Sequence, residues 1–140
     1  MIIRKAELKD LEFIISSNES VNEISNLKES GLARNFEKDI LSKEPKAFCV
    51  IVEEDKEQIA YCLYSYVYWA NEGQCIHISN IFVKPEYRRH GIFKKIMDYI
   101  KINEDAYCVT MLVDNENEIM LNALKKYGAK GLNMKTFYLR

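Results

Sequence analysis

The chain has 140 residues, 48% of them hydrophobic and 29% charged, with a formal net charge of −1. That length suits one domain around one core, and that balance excludes a disordered chain. A net charge so near zero gives no general pull toward nucleic acid or an anionic membrane, so any basic cluster requires a local explanation.

In chain order, "MIIRKA" opens as a short strand. "LKDLEFIISSN" follows with Leu8, Leu11, Ile14 and Ile15 at helical spacing. "ESVNEISNLKESG" is polar and weakly patterned, which predicts a broken helix or a mobile loop. "ARNFEKDILSKE" carries Phe36, Ile40 and Leu41 on one helical face, with Pro45 expected to close it. "AFCVIVEE" is a short apolar strand, "EEDKEQ" a turn, and "IAYCLYSYVYWA" a long β-branched and aromatic strand. "NEGQ" is a hairpin turn, Gly73 supplying a positive φ, and "CIHISNIFV" returns as a strand. "GIFKKIMDYIKIN" repeats Ile92, Ile96, Met97 and Ile100 as one amphipathic face. "AYCVTMLV" is a strand, "NEIMLNALKKYG" a helix ended by Gly128, and "MKTFYLR" a last strand. Strands interrupted by helices imply a mixed α/β sheet covered on both faces, in a single domain over residues 1–140.

No apolar run reaches the ~18–20 residues of a membrane span, and the N-terminus lacks a signal-peptide apolar region. Cys49, Cys62, Cys75 and Cys108 have no CxxC spacing and lie in apolar segments. They are expected as reduced core thiols of a cytoplasmic protein without membrane contact. With only two histidines apart from those cysteines, no metal site is expected.

The stretch "VKPEYRRHGIFKK" concentrates Arg88, Arg89, His90, Lys94 and Lys95 around Gly91 at the start of an amphipathic helix. The first N–H groups of a helix lack internal partners and carry the positive end of its dipole. A glycine there lets a phosphate approach the backbone. Neither Gly-Lys-Ser/Thr nor a three-glycine dinucleotide fingerprint is present. Two readings stand: a solvated basic turn, or a seat for an anion. Nucleic acid is disfavoured, since no aromatic interleaving or second basic patch accompanies the turn.

Arg88-Arg89-His90-Gly91-Ile92-Phe93, preceded by "IFVKPEY", resembles motif A of the GCN5-related N-acetyltransferases, Arg/Gln-x-x-Gly-x-Gly/Ala. "NENEIMLNALKKYGAK" resembles a second segment of that family, with Asn117 and Gly128 suitably spaced, and "IIRKAELKDLEFI" resembles its opening strand and helix. The likeness runs from residue 1 to about 130, with a layout similar to the small-amine acetyltransferases. It implies a mixed, mostly antiparallel sheet flanked by helices on both faces, with its fourth and fifth strands splayed into a cleft. It implies acetyl-CoA as co-substrate, with the pyrophosphate on the N–H groups of Arg89, His90, Gly91, Ile92, Phe93 and Lys94, beside Arg88. The backbone of Ile81, Phe82 and Val83 would pair with the pantetheine arm, and Asn117 would reach it from the other side. Phe93 departs from the usual Gly or Ala, so its side chain must point away from the phosphates or cover them.

An alkyl amine is only ~0.1% neutral at pH 7, so its acetylation gains from a base. The family's frequent Glu and Tyr positions hold Ser79 and Leu124 here. Strand alternation puts His77, Ser79, Ile81 and Val83 on one face, which makes His77 and Ser79 the substitutes by geometry. An ordinary strand histidine is the competing reading of His77. Tyr127 is expected to pack at a helix end rather than donate a proton. Tyr64, Tyr66 and Tyr68 form a stripe suited either to an acceptor pocket or to aromatic packing. The acids from Glu19 to Glu29 could attract a cationic amine or solvate a loop. The expectation is an N-acetyltransferase whose partners are acetyl-CoA and an amine acceptor, with a homodimer allowed. The alternative is a catalytically weak or inactive acyl-CoA-binding module.

Overall fold

The computed structural model describes residues 1–19, 31–137 and 139. Strand β1 (Ile2–Lys5) leads through a short 3-10 turn, Leu8–Asp10, into α1 (Leu11–Glu19). After α2 (Gly31–Asp39) come β2 (Phe48–Glu54), β3 (Glu57–Trp69) and β4 (Gly73–Val83). A second 3-10 turn, Pro85–Tyr87, precedes α3 (Ile92–Asn103), and β5 (Val109–Met111) and α4 (Glu118–Tyr127) complete the order. The five strands lie in sequence order in one sheet. β1 to β4 are antiparallel to their neighbours, while β5 runs parallel to β4. The expected mixed, mostly antiparallel sheet is therefore present.

Each face of that sheet has its own apolar layer. Ile92, Ile96, Met97 and Ile100 of α3 pack on Val50, Val52, Ala60, Cys62, Tyr64, Ile76 and Ile78. On the other face Ile14 of α1 and Phe36 of α2 cover Cys49, Ile51, Tyr61 and Phe82. Burying side chains of this size stabilises by roughly 1.5–3 kcal/mol each. The β2–β3 connection is a two-residue turn with Asp55 and Lys56 both at positive φ, the conformation that matches strand twist.

A polar lock closes the β1 end. Asp10 is fully buried and accepts from Arg4 at 2.7 and 2.9 Å, from Gln58 at 2.9 Å and from the Glu7 backbone at 2.8 Å. Arg4 also donates to Glu53. Burial alone would raise the Asp10 carboxyl, but these donors overturn that and hold it at about 2.

Several expectations need correction. Cys75 and Cys108 are paired as a disulfide, leaving Cys49 and Cys62 as buried free thiols. The reason is that β4 and the chain entering β5 run side by side, with those Cα atoms 4.9 Å apart. Burial pushes the Cys49 thiol up to about 12 and Cys62 up as well, so both are inert. The segment "MKTFYLR" forms no strand among its described residues, and Met134 and Phe137 are exposed. Strand propensity needs a paired neighbour, and β5 is too short to template one. α2 ends at Asp39, ahead of Pro45, where Lys46 and Ala47 donate their N–H groups to the Asp39 carbonyl. Residues 20–30, with the acids expected there, lie outside the described residues.

Candidate active site

The basic turn sits at the end of β4. Lys84 and the 3-10 turn lead to Arg88, whose Nε donates to the Val83 carbonyl at 3.0 Å. That bond ties the guanidinium to the strand end, so Arg88 presents its charge from a fixed position. Arg89 and Gly91 both have positive φ, 64° and 76°, which curls the chain tightly into α3. Gly91 is the N-cap, and no side chain caps the helix. The first intrahelical bond at this end runs from Lys95 N–H to the Gly91 carbonyl. The N–H groups of Ile92, Phe93 and Lys94 thus have no partner within the helix. A Cβ built on Gly91 would meet nothing within 4 Å, so glycine is needed here for its φ, not for crowding by protein atoms. Arg89 and His90 are exposed.

Phe93, the departure from the motif, faces sideways. Its ring stands edge-on to Tyr127 of α4, 5.8 Å between centroids. Tyr127 donates to Asp98 at 2.9 Å, and Lys101 lies over its ring. Tyr127 therefore docks α4 on α3, as expected. Lys94 pairs with Asp98 one turn away, leaving its backbone N–H at the helix start. Asn117 is the N-cap of α4, its Oδ1 accepting from Met120 N–H at 3.1 Å.

β4 and β5 pair only where Ile76, His77 and Ile78 face Val109, Thr110 and Met111. Beyond Ile78, β4 runs on to Val83 while β5 ends at Met111. The two strands thus pair over three residues, and Ile81, Phe82 and Val83 of β4 lie beyond that pairing, where the cleft was expected. Phe82 is buried against Tyr61, and Ile81 and Val83 pack toward α3. With these side chains committed to the core, what the segment offers the cleft is its backbone.

A β-bulge reorders the faces of β4. Register shifts between Leu63 and Tyr64, which face Asn80 and Ile78, so Ser79 is the extra residue. Ile76 and Ile78 point toward α3 before the bulge, as do Ile81 and Val83 after it. His77 therefore lies on the opposite face from Ile81 and Val83, contrary to simple alternation. Ser79 is exposed at the bulge itself. The His77 Nδ1 lies 3.0 Å from the Thr110 hydroxyl, and that hydroxyl reaches the Ile76 carbonyl at 3.4 Å. If the hydroxyl donates to the carbonyl, Nδ1 carries the ring proton and donates to Thr110.

Of the tyrosine stripe, Tyr64 and Tyr66 are engaged in packing, while Tyr68 is exposed. Phe48 stacks on Tyr64 and meets Tyr66 edge-on, both 5.5 Å between centroids. Both hydroxyls donate to Glu104, which follows α3. Burial first, then those bonds, pushes Tyr66 up to about 12 and Tyr64 up further. Glu104 and Thr110 carry no local sequence signal, because their partners lie more than thirty positions away. The bulge likewise appears only once β3 and β4 are paired.

Known proteins of the same kind exist. The family model described as Acetyltransferase (GNAT) family matches residues 12–129. A thialysine N-epsilon-acetyltransferase of Bos taurus is 32% identical over 92 residues, which is 64% of this chain and 49% of that protein. The chain thus spans about half the length of the curated relatives it matches. A possible acetyltransferase from Clostridium difficile 630 superimposes with a TM-score of 0.79 at 22% identity, covering 99% of this chain and 96% of the other. The aminoglycoside N-acetyltransferase AAC(6')-Iy, crystallised with CoA, also gives 0.79, at 18% identity over 99% of this chain and 93% of its own. At such identities these structures establish the shared fold.

Proposed function

This chain belongs to the Acetyltransferase (GNAT) family, and from that premise we propose that it transfers an acetyl group from acetyl-CoA to a primary amine of a small molecule or peptide. The observation that carries the proposal is the uncapped start of α3 behind left-handed Gly91, at the end of a strand open along one side. Aligned amide donors, a dipole end and Arg88 fixed beside them favour a pyrophosphate. In this reading the N–H groups of Arg89, His90, Gly91, Ile92, Phe93 and Lys94 hold the pyrophosphate, and Arg89 and His90 add side chains at the solvent edge. On the side of β4 turned away from β3, the backbone of Ile81, Phe82 and Val83 pairs with the pantetheine amides as a strand would. Asn117 uses the Nδ2 donors left over from its cap. Phe93 packing against Tyr127 leaves the phosphate side clear. The family likeness to AAC(6')-Iy, crystallised with CoA, supports the cofactor.

For chemistry, positioning both reactants supplies most of the acceleration, worth several kcal/mol. His77, with Nδ1 held by Thr110, presents Nε2 as acceptor for the proton that the amine loses, directly or through a water held at Ser79. A second reading, an acyl-CoA-binding module without turnover, is favoured by Ser79 and Leu124, which stand where the family resemblance leads one to expect Glu and Tyr. Release of free CoA thiol across a panel of amines separates the two. Amine-dependent release establishes the transferase, whereas saturable acetyl-CoA binding with no release above background establishes the module. No binding at all at millimolar acetyl-CoA overturns both.

A further inference from the structure

The Cys75–Cys108 bridge takes no part in the chemistry above, yet it encloses nearly all of it. The two cysteines are 33 positions apart. Between them lie His77, Ser79, Ile81, the basic turn and the start of α3; of the residues assigned to the cofactor, only Asn117 is outside. The bridge stands at the closed end of the cleft, one residue before the short pairing of Ile76–Ile78 with Val109–Met111. What else joins the strands there is slight. Ile76 N–H donates to the Cys108 carbonyl at 2.9 Å, Tyr107 N–H to the Gln74 carbonyl at 2.9 Å, and the Gln74 side chain to the Asp105 carbonyl at 2.6 Å. Cys75 is fully buried and Cys108 partly exposed, so Cys108 is the side of the pair that an incoming thiolate would approach.

We propose that this disulfide is a redox switch on the cofactor site: oxidised, it anchors both ends of the anion-binding segment and favours ligand; reduced, it frees them and weakens binding. The inference rests on the reading of that segment as the seat of CoA. A dithiol thiolate attacks the Cys108 sulfur and forms a mixed disulfide, and Cys75 leaves as thiolate and takes a proton. The second thiol of the reductant then closes its own disulfide and releases Cys108, so that two electrons and two protons pass to the protein. In a compartment where glutathione keeps thiols reduced the chain would rest in the weaker state, and an oxidising shift would strengthen it. The physical basis is preorganisation, since a segment already held in place loses less freedom on binding.

The test uses the full chain in two forms, equilibrated with oxidised glutathione or with dithiothreitol, the thiol state confirmed by alkylation and mass. The probe is desulfo-CoA, which has no thiol to exchange, titrated calorimetrically. Oxidised protein should bind about five- to tenfold more tightly than reduced protein. The double variant Cys75→Ala, Cys108→Ala should bind like reduced protein whatever the redox buffer. Equal affinity in both wild-type forms overturns the switch while leaving the site standing, and so does failure of the pair to oxidise. Binding by neither form overturns the site itself, and the switch with it. The wild-type comparison needs no mutation, so a variant that folds poorly does not blunt it.

Discussion

The two edges of the sheet are built differently. At the β1 edge the pairing with β2 runs the length of the strand, and a buried carboxylate with an arginine and a glutamine pins the first turn to β3. At the β5 edge the pairing stops after Met111, β4 continues to Val83 paired with β3 alone, and a disulfide takes the place of a longer ladder. A strand released from its neighbour exposes peptide groups that another extended molecule can use, and the same release weakens the fold locally. Stability is therefore concentrated at one edge and ligand chemistry at the other, and substitutions at the two edges should separate accordingly.

The sharpest separation comes from Asp10→Ala. It removes one partner of a buried pair and leaves Arg4 with Glu53 as its remaining carboxylate, which should cost about 3–5 kcal/mol in chemical denaturation. At temperatures where the variant remains folded, its affinity for acetyl-CoA should be unchanged. A large loss of affinity in folded protein would show that the two edges are coupled.

Gly91→Glu is the counterpart at the other edge. The new side chain meets open space but brings a negative charge and a disfavoured φ of 76° to the helix start. Acetyl-CoA at a hundred times its dissociation constant should stabilise the wild type by ~2.7 kcal/mol and the variant not at all. A full thermal shift in the variant would move the anion site elsewhere.

Acid separates the edges a third way. Asp10 titrates at about 2 in the folded chain against an ordinary 3.8, so the unfolded chain takes up the proton first as pH falls. Its stabilising contribution is complete above pH ~4 and is lost as pH falls toward ~2, amounting to about 2 kcal/mol. Asp10→Asn should flatten that part of the stability profile. A profile of the same shape in wild type and variant would assign acid sensitivity to other carboxylates.

What could be seen in the sequence follows the same division. Local signals were legible: the apolar face of α3, the hairpin at Gly73, the glycine at the start of α3 and the Gly128 stop of α4 all arise within a few residues. The antiparallel half of the sheet followed from strand order and short turns. The β5 edge did not, because its character depends on pairing between distant segments. Cys75 and Cys108 carry no spacing signal, and their approach exists only after β4 and β5 are set side by side. The bulge at Ser79 is invisible until β3 supplies a register, and it is what moved His77 to the opposite face from Ile81. "MKTFYLR" has strand composition, but composition cannot supply the partner that a strand needs.

The smallest expected effect bears on whether the open edge does chemistry as well as binding. With the Thr110 hydroxyl turned to the Ile76 carbonyl, His77 carries its proton on Nδ1 and keeps Nε2 as an acceptor. If Nε2 takes the amine proton, His77→Ala should lower kcat about tenfold, equivalent to ~1.4 kcal/mol, with KM for acetyl-CoA unchanged. Thr110→Val should fall in the same direction by less, since the imidazole remains but loses the partner that fixes its tautomer. The loss in both should shrink as pH rises toward the acceptor's own pKa, because an amine already neutral needs no base. A strand histidine that merely packs predicts something else: equal rates at every pH, with the cost confined to stability. Rates that fall by the same factor at all pH values would also exclude proton transfer and point to a role in positioning the thioester.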